Sequence, residues 1–253
     1  MKIVFLGTGS VILTGRNQAG ILMEIGKKKL LFDCGAGVAV SLAKIGYTPY
    51  EIDYLFMTHF HPDHSIDFVT LVTDRGFRKR TLKVYGPIGL KKFTKIFYTK
   101  LYPELDSFLK CFEYLELNEV KKNFELNERE FKISSSPTKH TEFSLAYRIE
   151  TKNKVILYSG DTGECEEVIN LGKNVDIAIL ECSFPSKKVA VTPNHLYPEA
   201  CGRMAKRMNA KKLVLMHFFP SCEKKEREIL SRVKKFFDGE VVLAKDGIEM
   251  IVE

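Results

Sequence analysis

The sequence contains no apolar run approaching the ~18 residues that a membrane span requires. Its opening stretch, MKIVFLGTGS, is interrupted at Gly7 and is too short for the apolar core of a secretion signal. A cytoplasmic protein with no membrane partner is the expectation. No Cys-x-x-Cys pair occurs, and the six cysteines (Cys34, Cys111, Cys165, Cys182, Cys201 and Cys222) are scattered. This argues against a thiolate metal cage or a disulfide framework and fits reduced thiols. No Gly-, Ser- or Pro-rich linker divides the chain, so residues 1–253 are expected to form one domain, near the upper size for a single core. Glutamine is nearly absent, with Gln18 alone against many Lys and Glu, a balance suited to surface ion pairs. The formal charge of +7 is spread over short groups such as Lys27 to Lys29, Arg78 to Arg80, Lys121-Lys122 and Lys187-Lys188. A solvated surface accounts for most of them, and a nucleic-acid partner stays open.

What is present is an alternation of short apolar runs with turns. KIVFLG, GILMEIG, KLLFDCG and DYLFMT read as strands. GVAVSLAKIG, with Val38, Leu42 and Ile45 at helical spacing, reads as a helix ending at Gly46. Beyond a histidine cluster, Ile66, Val69, Thr70 and Thr73 share one helical face, followed by a strand at LKVYG and a helix over Leu90 to Tyr98. Residues 100 to 130 give no clear pattern. The alternation then resumes with strands at EFKISS, SLAYRIE, KVILYSG, DIAILEC and KLVLMHF, and helices near Glu164 to Leu171 and Pro198 to Met208. A last helix and VVLAKDGIEMIV close the chain. The expected architecture is α/β, two sheets packed face to face with helices outside and the chemistry on loops at one edge.

The chain has six histidines: His59, His61, His64, His140, His195 and His217. Three of them, with Asp63, fall in THFHPDH. Pro62 fixes its own backbone and pushes His61 into an extended conformation, which predicts that this stretch is not a helical turn. His59 and His61 then project to one side as a chelating pair. Asp63 and His64 begin the next helix and face a second position. Taken singly, His140 and His217 would be ordinary turn or strand-end residues and Asp161 in YSGDTGE a turn aspartate. Together they exceed what one ion can use, since a metal takes about four ligands. His59, His61 and His140 suit one ion, Asp63, His64 and His217 a second, and Asp161 a bridge. Two divalent metals per chain are expected, zinc first, with manganese or iron as alternatives.

THFHPDH followed in order by His140, Asp161 in SGDTG and His217 in LMHF resembles the metallo-β-lactamase superfamily over nearly the whole chain. The resemblance implies an αββα four-layer sandwich of two mixed sheets flanked by helices, with two metals at the sheet edge. FLGTGS, LLFDCGAG, AILECSF and NHLYPEACGRMA look like ribonuclease Z and its phosphodiesterase relatives, where the last segment carries an additional active-site histidine, here His195. The chain departs from ribonuclease Z in three places. Leu180, not a His, precedes Glu181; Tyr197 stands where relatives often have a helix-capping Thr; and only residues 141 to 160 separate His140 from Asp161, where ribonuclease Z inserts a tRNA-gripping arm. A ribonuclease Z-like metallo-hydrolase lacking that arm is the nearer match.

Two metals ~3.5–4 Å apart lower the pKa of a shared water and provide a metal-bridging hydroxide, so the expected activity is hydrolysis. Asp63, His195 and Glu181 are the residues expected to do the chemistry, with His195 as a general acid, or a phosphoryl-oxygen ligand, oriented by Glu181. The plainer alternative for His195 is a local hydrogen bond at a helix start. Asp33 is expected to orient a metal-binding His, with Asp67 a second candidate for that role. Gly7-Thr8-Gly9 reads either as a close approach for substrate or as a glycine-rich turn. The leading expectation is a phosphodiesterase acting on a nucleotide, cyclic nucleotide or short nucleic acid. Alternatives are a lactone, ester or thioester hydrolase, and a non-catalytic nucleic-acid-binding subunit. A homodimer stays open.

Overall fold

The strand runs are apolar on both faces, and period-two alternation therefore sends residues to two different cores. In β1 (Lys2–Gly7), Ile3 and Phe5 face one cluster while Val4 and Leu6 face another. The computed structural model describes residues 1–101, 113–121 and 124–252; Cys111 and Lys122 lie outside them. In chain order β1 is followed by β2 (Gly20–Ile25), β3 (Lys28–Phe32), α1 (Val38–Lys44), β4 (Tyr54–Phe56), α2 (Pro62–Ser65), α3 (Phe68–Phe77), β5 (Leu82–Pro87), α4 (Leu90–Leu101) and β6 (Leu115–Val120). The rest comprises β7 (Glu125–Asn127), β8 (Lys132–Pro137), β9 (Leu145–Glu150), β10 (Val155–Tyr158), α5 (Glu166–Leu171), β11 (Ile177–Glu181), α6 (Pro198–Met208), β12 (Lys212–Met216), α7 (Glu226–Lys234), β13 (Glu240–Leu243) and β14 (Glu249–Ile251).

One sheet has the order β14-β1-β2-β3-β4-β5-β6 and the other β13-β12-β11-β10-β9-β8-β7. Both are mixed, because β3 to β6 run parallel, as do β10 to β13, while the remaining pairs are antiparallel. Among the described residues, three buried apolar clusters mark the layer boundaries. The first lies between the sheets and includes Phe32, Phe56, Tyr147 and Ile179. The second packs α5, α6 and α7 on one sheet, and the third packs α1, α3 and α4 on the other. This is the four-layer αββα sandwich expected from the sequence.

Three details differ from the sequence reading. The unassigned stretch holds β6 and β7, the edge strands of the two sheets, whose short and half-exposed runs give little alternation to read. The closing segment splits between sheets: β13 pairs with β12, while β14 crosses back to β1, and the Met1 amine donates to the Val252 carbonyl at 3.0 Å. The face that α3 buries is Phe68, Leu71 and Val72, while Ile66 and Thr70 are exposed. The basic groups sit outside the cores in pairs such as Lys2 with Glu24 and Arg232 with Glu228, each of which contributes about 1 kcal/mol or less. No described helix is long and apolar enough to cross a membrane.

Candidate metal centre

Parallel strands end on one edge, and the loops that leave them carry the polar groups. Thr58 and His59 lie just past the end of β4, after Met57. His61 is extended (φ −59°, ψ 145°), as Pro62 demands. The expectation that this stretch avoids a helical turn is corrected, because Pro62 opens the turn α2. A proline restricts the residue before it, but its missing N–H costs nothing at a first helical position. The turn buries Asp63 and His64, and the Ser65 hydroxyl closes it by donating to the His61 carbonyl at 2.9 Å. Three other strand ends use left-handed backbone to aim their side chains: Asp33 after β3 (φ 57°), Gly160 before Asp161 (φ 54°) and His217 after β12 (φ 60°). A Cβ on Gly160 would fall 2.7 Å from Thr58, so glycine is required there for packing as well.

The expected ligand residues converge as two groups. His59, His61, His140 and Asp161 form one, and Asp63, His64, Asp161 and His217 the other, with the donor atoms of each group within 4.8 Å of one another. Asp161 faces both. Its Oδ2 lies 3.8 Å from His59 Nε2 and 3.7 Å from His140 Nε2. Its Oδ1 lies 3.2 Å from His64 Nε2 and 3.4 Å from His217 Nε2. His140 Nε2 is 3.1 Å from His61 Nδ1, and His217 Nε2 is 3.1 Å from Asp63 Oδ2. Tetrahedral ligands ~2.0–2.1 Å from a zinc ion stand ~3.3 Å apart, so these separations suit donors around a common ion.

The donors also pass a chemical test for a metal. His59 Nε2 is buried with no hydrogen-bond partner, which is costly unless something else satisfies it. The buried His64 Nε2 and Asp161 Oδ1 face each other at 3.2 Å. Partners on the far side of each ring fix the tautomer that leaves Nε2 as a lone pair. His64 Nδ1–H donates to Asp33 Oδ2 (2.8 Å), His59 Nδ1–H to the Thr58 hydroxyl (3.0 Å) and His217 Nδ1–H to the Ser183 hydroxyl (3.0 Å). Burial lowers the His59 pKa well below the usual imidazole range. Burial also works against a charged His64, but Asp161 and Asp33 outweigh it and hold its pKa well above that range. Burial opposes the charged forms of Asp161 and Asp63 too. His217 and His64 overcome it and keep both carboxylates below their ordinary values.

Behind the donors lies a second ring of partners. Asp33, with no exposure, accepts from the Thr58 backbone N–H (2.7 Å), the Thr58 hydroxyl (2.9 Å) and the Tyr158 hydroxyl (2.7 Å) as well as from His64. Asp67 has a different function from the one expected: its Oδ2 accepts from the Ala39 N–H at 2.9 Å and so serves the first turn of α1. Gly7-Thr8-Gly9 is a packing turn. A Cβ on Gly7 would fall 1.7 Å from the Gln18 carbonyl, and the Thr8 carbonyl accepts from the Phe218 N–H beside His217.

His195 sits in the loop before α6, with its Nδ1 2.8 Å from Glu181 Oε1 and 3.9 Å from Asp161 Oδ2. Glu181, at the end of β11 and 1% exposed, also accepts from the N–H groups of Thr162 (2.8 Å) and Leu196 (3.1 Å) and from the Ser183 hydroxyl (2.5 Å). Burial disfavours the charged form of His195, but Glu181 prevails and its pKa is pushed up to about 9. His195, Asp63, Asp161, His140 and His217 share the wall of one cavity of about 260 Å³. Sequence reasoning missed Ser183, Thr58 and Tyr158. Ser183 was within reach, because it stands two residues after Glu181 and alternate residues of an extended chain share a side.

Two of the departures from ribonuclease Z have structural counterparts. Residues 141 to 160 are occupied by β9 and β10 and their turn, with no room for an arm. Tyr197 is the N-cap residue of α6 and makes no side-chain cap bond.

The chain is 26% identical to the ribonuclease Z of Methanothermobacter thermautotrophicus over 91% of its own length and 90% of the relative's. That alignment spans 283 positions, more than the 253 residues here, so the relative carries segments that this chain lacks. Among solved structures, the metallo-β-lactamase fold protein YhfI from Bacillus subtilis superposes with a TM-score of 0.83 at 24% identity, covering 98% of both chains. The short form of human tRNase Z superposes with a TM-score of 0.78 at 22% identity over 100% of both. Residues 1–236 match the family described as Anti-Pycsar protein Apyc1. With a metallo-β-lactamase fold, a divalent-metal donor set and ribonuclease Z relatives, the chain is a metal-dependent hydrolase and belongs to the Anti-Pycsar protein Apyc1 family.

Proposed function

We propose that the chain is a dinuclear phosphodiesterase that hydrolyses a nucleotide, a cyclic nucleotide or a short nucleic acid. The observation that carries this reading is the division of Asp161, one carboxylate oxygen toward each histidine group, beside His195 on the same cavity wall. His59, His61, His140 and Asp161 would hold one ion, and Asp63, His64, Asp161 and His217 the other. When bound, such ions supply Lewis-acid activation of water and neutralise charge on a phosphoryl group. Zinc suits the imidazole and carboxylate donors, with manganese and iron the alternatives.

The chain's own contribution is proton management and orientation. His195, held charged by Glu181, gives its proton to the leaving oxygen as the bond to phosphorus breaks, and the attacking water supplies the proton that restores it. Glu181 keeps the ring oriented through its Nδ1, and the Thr162 and Leu196 N–H groups keep Glu181 in place. The relatives named ribonuclease Z support phosphodiester chemistry over lactone or thioester chemistry.

Metal analysis of the purified protein together with turnover of bis(4-nitrophenyl) phosphate and of an alkyl phosphodiester tests this. Two ions per chain are expected. His195→Ala should keep both ions and lose ~10²–10⁴-fold in turnover of the alkyl ester, whose leaving group needs a proton, and much less with the activated aryl ester. One ion per chain, or equal loss on both esters, contradicts the assignment.

A further inference from the structure

The loop between β13 and β14 carries the chain from one sheet to the other, and no step of the hydrolysis described above uses it. It is stapled to both sheets. The Ala244 N–H donates to the Leu215 carbonyl of β12 at 2.8 Å, and the Gly247 N–H to the Phe5 carbonyl of β1 at 2.8 Å. Between these staples stands Asp246, whose carboxylate turns to the segment that follows β1. Its Oδ1 accepts from the Thr8 N–H (2.9 Å) and the Thr8 hydroxyl (2.7 Å), and its Oδ2 from the Asn17 N–H (2.5 Å). Thr8 is fully buried, so its donors have no water to turn to if the carboxylate is lost.

Thr8 leads to a residue of the metal centre. Its carbonyl accepts from the Phe218 N–H at 3.0 Å. Arg16 donates to the Thr8 hydroxyl (2.6 Å) and to the Ala244 carbonyl (2.9 Å), and its guanidinium lies 4.8 Å from the centre of the Phe218 ring. Phe218 is thus held by its backbone and by its ring. The residue before it, His217, has left-handed backbone (φ 60°), which a residue with a Cβ keeps only where its surroundings fix it. On one side β12 does so, with the Met216 carbonyl accepting from the Cys182 N–H at 2.8 Å. On the other side the link from Phe218 to Thr8 does so.

We propose that Asp246 is a positioning residue for the ion of the Asp63, His64, Asp161 and His217 group. By fixing Thr8 it fixes Phe218, and through Phe218 it keeps His217 in the backbone conformation that presents Nε2 to that ion. This rests on the dinuclear reading. The effect is selective, because His59, His61 and His140 follow β4 and β8 rather than β12 and stand outside this chain of contacts.

The test uses the full-length protein and measures its affinity for each of two zinc ions by competition with a chelator. In Asp246→Asn the amide nitrogen must face either Thr8 or the Asn17 N–H, and one ion should bind ~3- to 10-fold more weakly. That is less than the ~10–100-fold typical of a partner in direct contact with a ligand. The other ion should stay within about twofold of the parent, and a double-mutant cycle assigns the two. Asp246→Asn should add nothing to His217→Ala and should keep its full effect on top of His140→Ala. A carboxylate with a structural role alone would lower the melting temperature of the metal-free protein and act alike in both backgrounds. Thr8→Val keeps the carbonyl and loses the hydroxyl held by Asp246, so it should give the same selective loss from the other end of the link. Unchanged zinc affinity in both single variants, or equal loss at both ions, overturns the inference. A parent that binds one zinc per chain overturns the dinuclear reading instead.

Discussion

Asp33→Asn isolates one charge behind the metal centre. Asn is almost the same shape and is among the residues that tolerate the left-handed backbone that Asp33 adopts (φ 57°), so the backbone should not move. The hydrogen bonds cannot all survive. With the amide nitrogen at the Oδ2 position, the His64 Nδ1–H loses its acceptor (2.8 Å). The ring then favours the tautomer that puts its proton on Nε2, the atom needed by an ion. With the amide reversed, the nitrogen faces the buried Thr58 N–H (2.7 Å) and strands it. A stranded buried donor costs ~1–3 kcal/mol, and a hydrogen bond to a charged group is worth a similar amount, giving a loss of about 2–4 kcal/mol. For a chain of this length that is a fall of roughly 4–16 °C in melting temperature. Loss of such a partner also weakens metal binding ~10–100-fold. Calorimetric melting of the metal-free variant and competition with a chelator for zinc read the two effects separately. Unchanged zinc affinity would refute the claim that Asp33 sets the His64 tautomer.

Three further outcomes are expected. In the metal-free protein, the charged His195 with Glu181 contributes stability that is fully present below the unfolded histidine pKa of ~6.5 and is lost as pH rises through about 9. The melting-temperature gap between parent and Glu181→Gln should therefore narrow from pH 6 to pH 9.5, and a gap that widens would be against it. Gly163→Ala sets a Cβ 2.1 Å from the Pro193 carbonyl, so the loop bearing His195 must shift. Turnover of poor leaving groups should fall with metal content intact, as kinetics and metal analysis on one sample would show. Phe56→Ala removes a ring stacked 5.1 Å from both Phe32 and Tyr85 and should cost ~3–5 kcal/mol in urea unfolding.

Much of the fold was legible because each long strand run carries its own alternation, and the grouping of histidines and aspartates because the six histidines fall at strand ends and in turns. What could not be read follows from physics that acts across the chain. The edge strands β6 and β7 have little to bury and thus little pattern. The start of α2 falls at Pro62, one residue before the expected Asp63, because one residue both forbids helix before it and permits helix after it. Asp67 and Asp33 look alike as carboxylates near His64. Only tertiary packing sends one to the α1 backbone and the other to an imidazole. Tyr158 reaches Asp33 with its hydroxyl across 125 residues of chain, a link that no local pattern announces.

The two histidine groups draw on the sheets evenly. His59 and His61, like Asp63 and His64, come from the end of β4 in one sheet, whereas His140, Asp161 and His217 follow β8, β10 and β12 in the other. Each ion would thus be a clasp between two layers, alongside the backbone link from the Leu145 N–H to the Thr58 carbonyl at 2.9 Å. Metal affinity then works as a gauge of how the layers lie against each other. A substitution deep between the sheets, far from any ligand, should register as weaker zinc binding before it registers as unfolding.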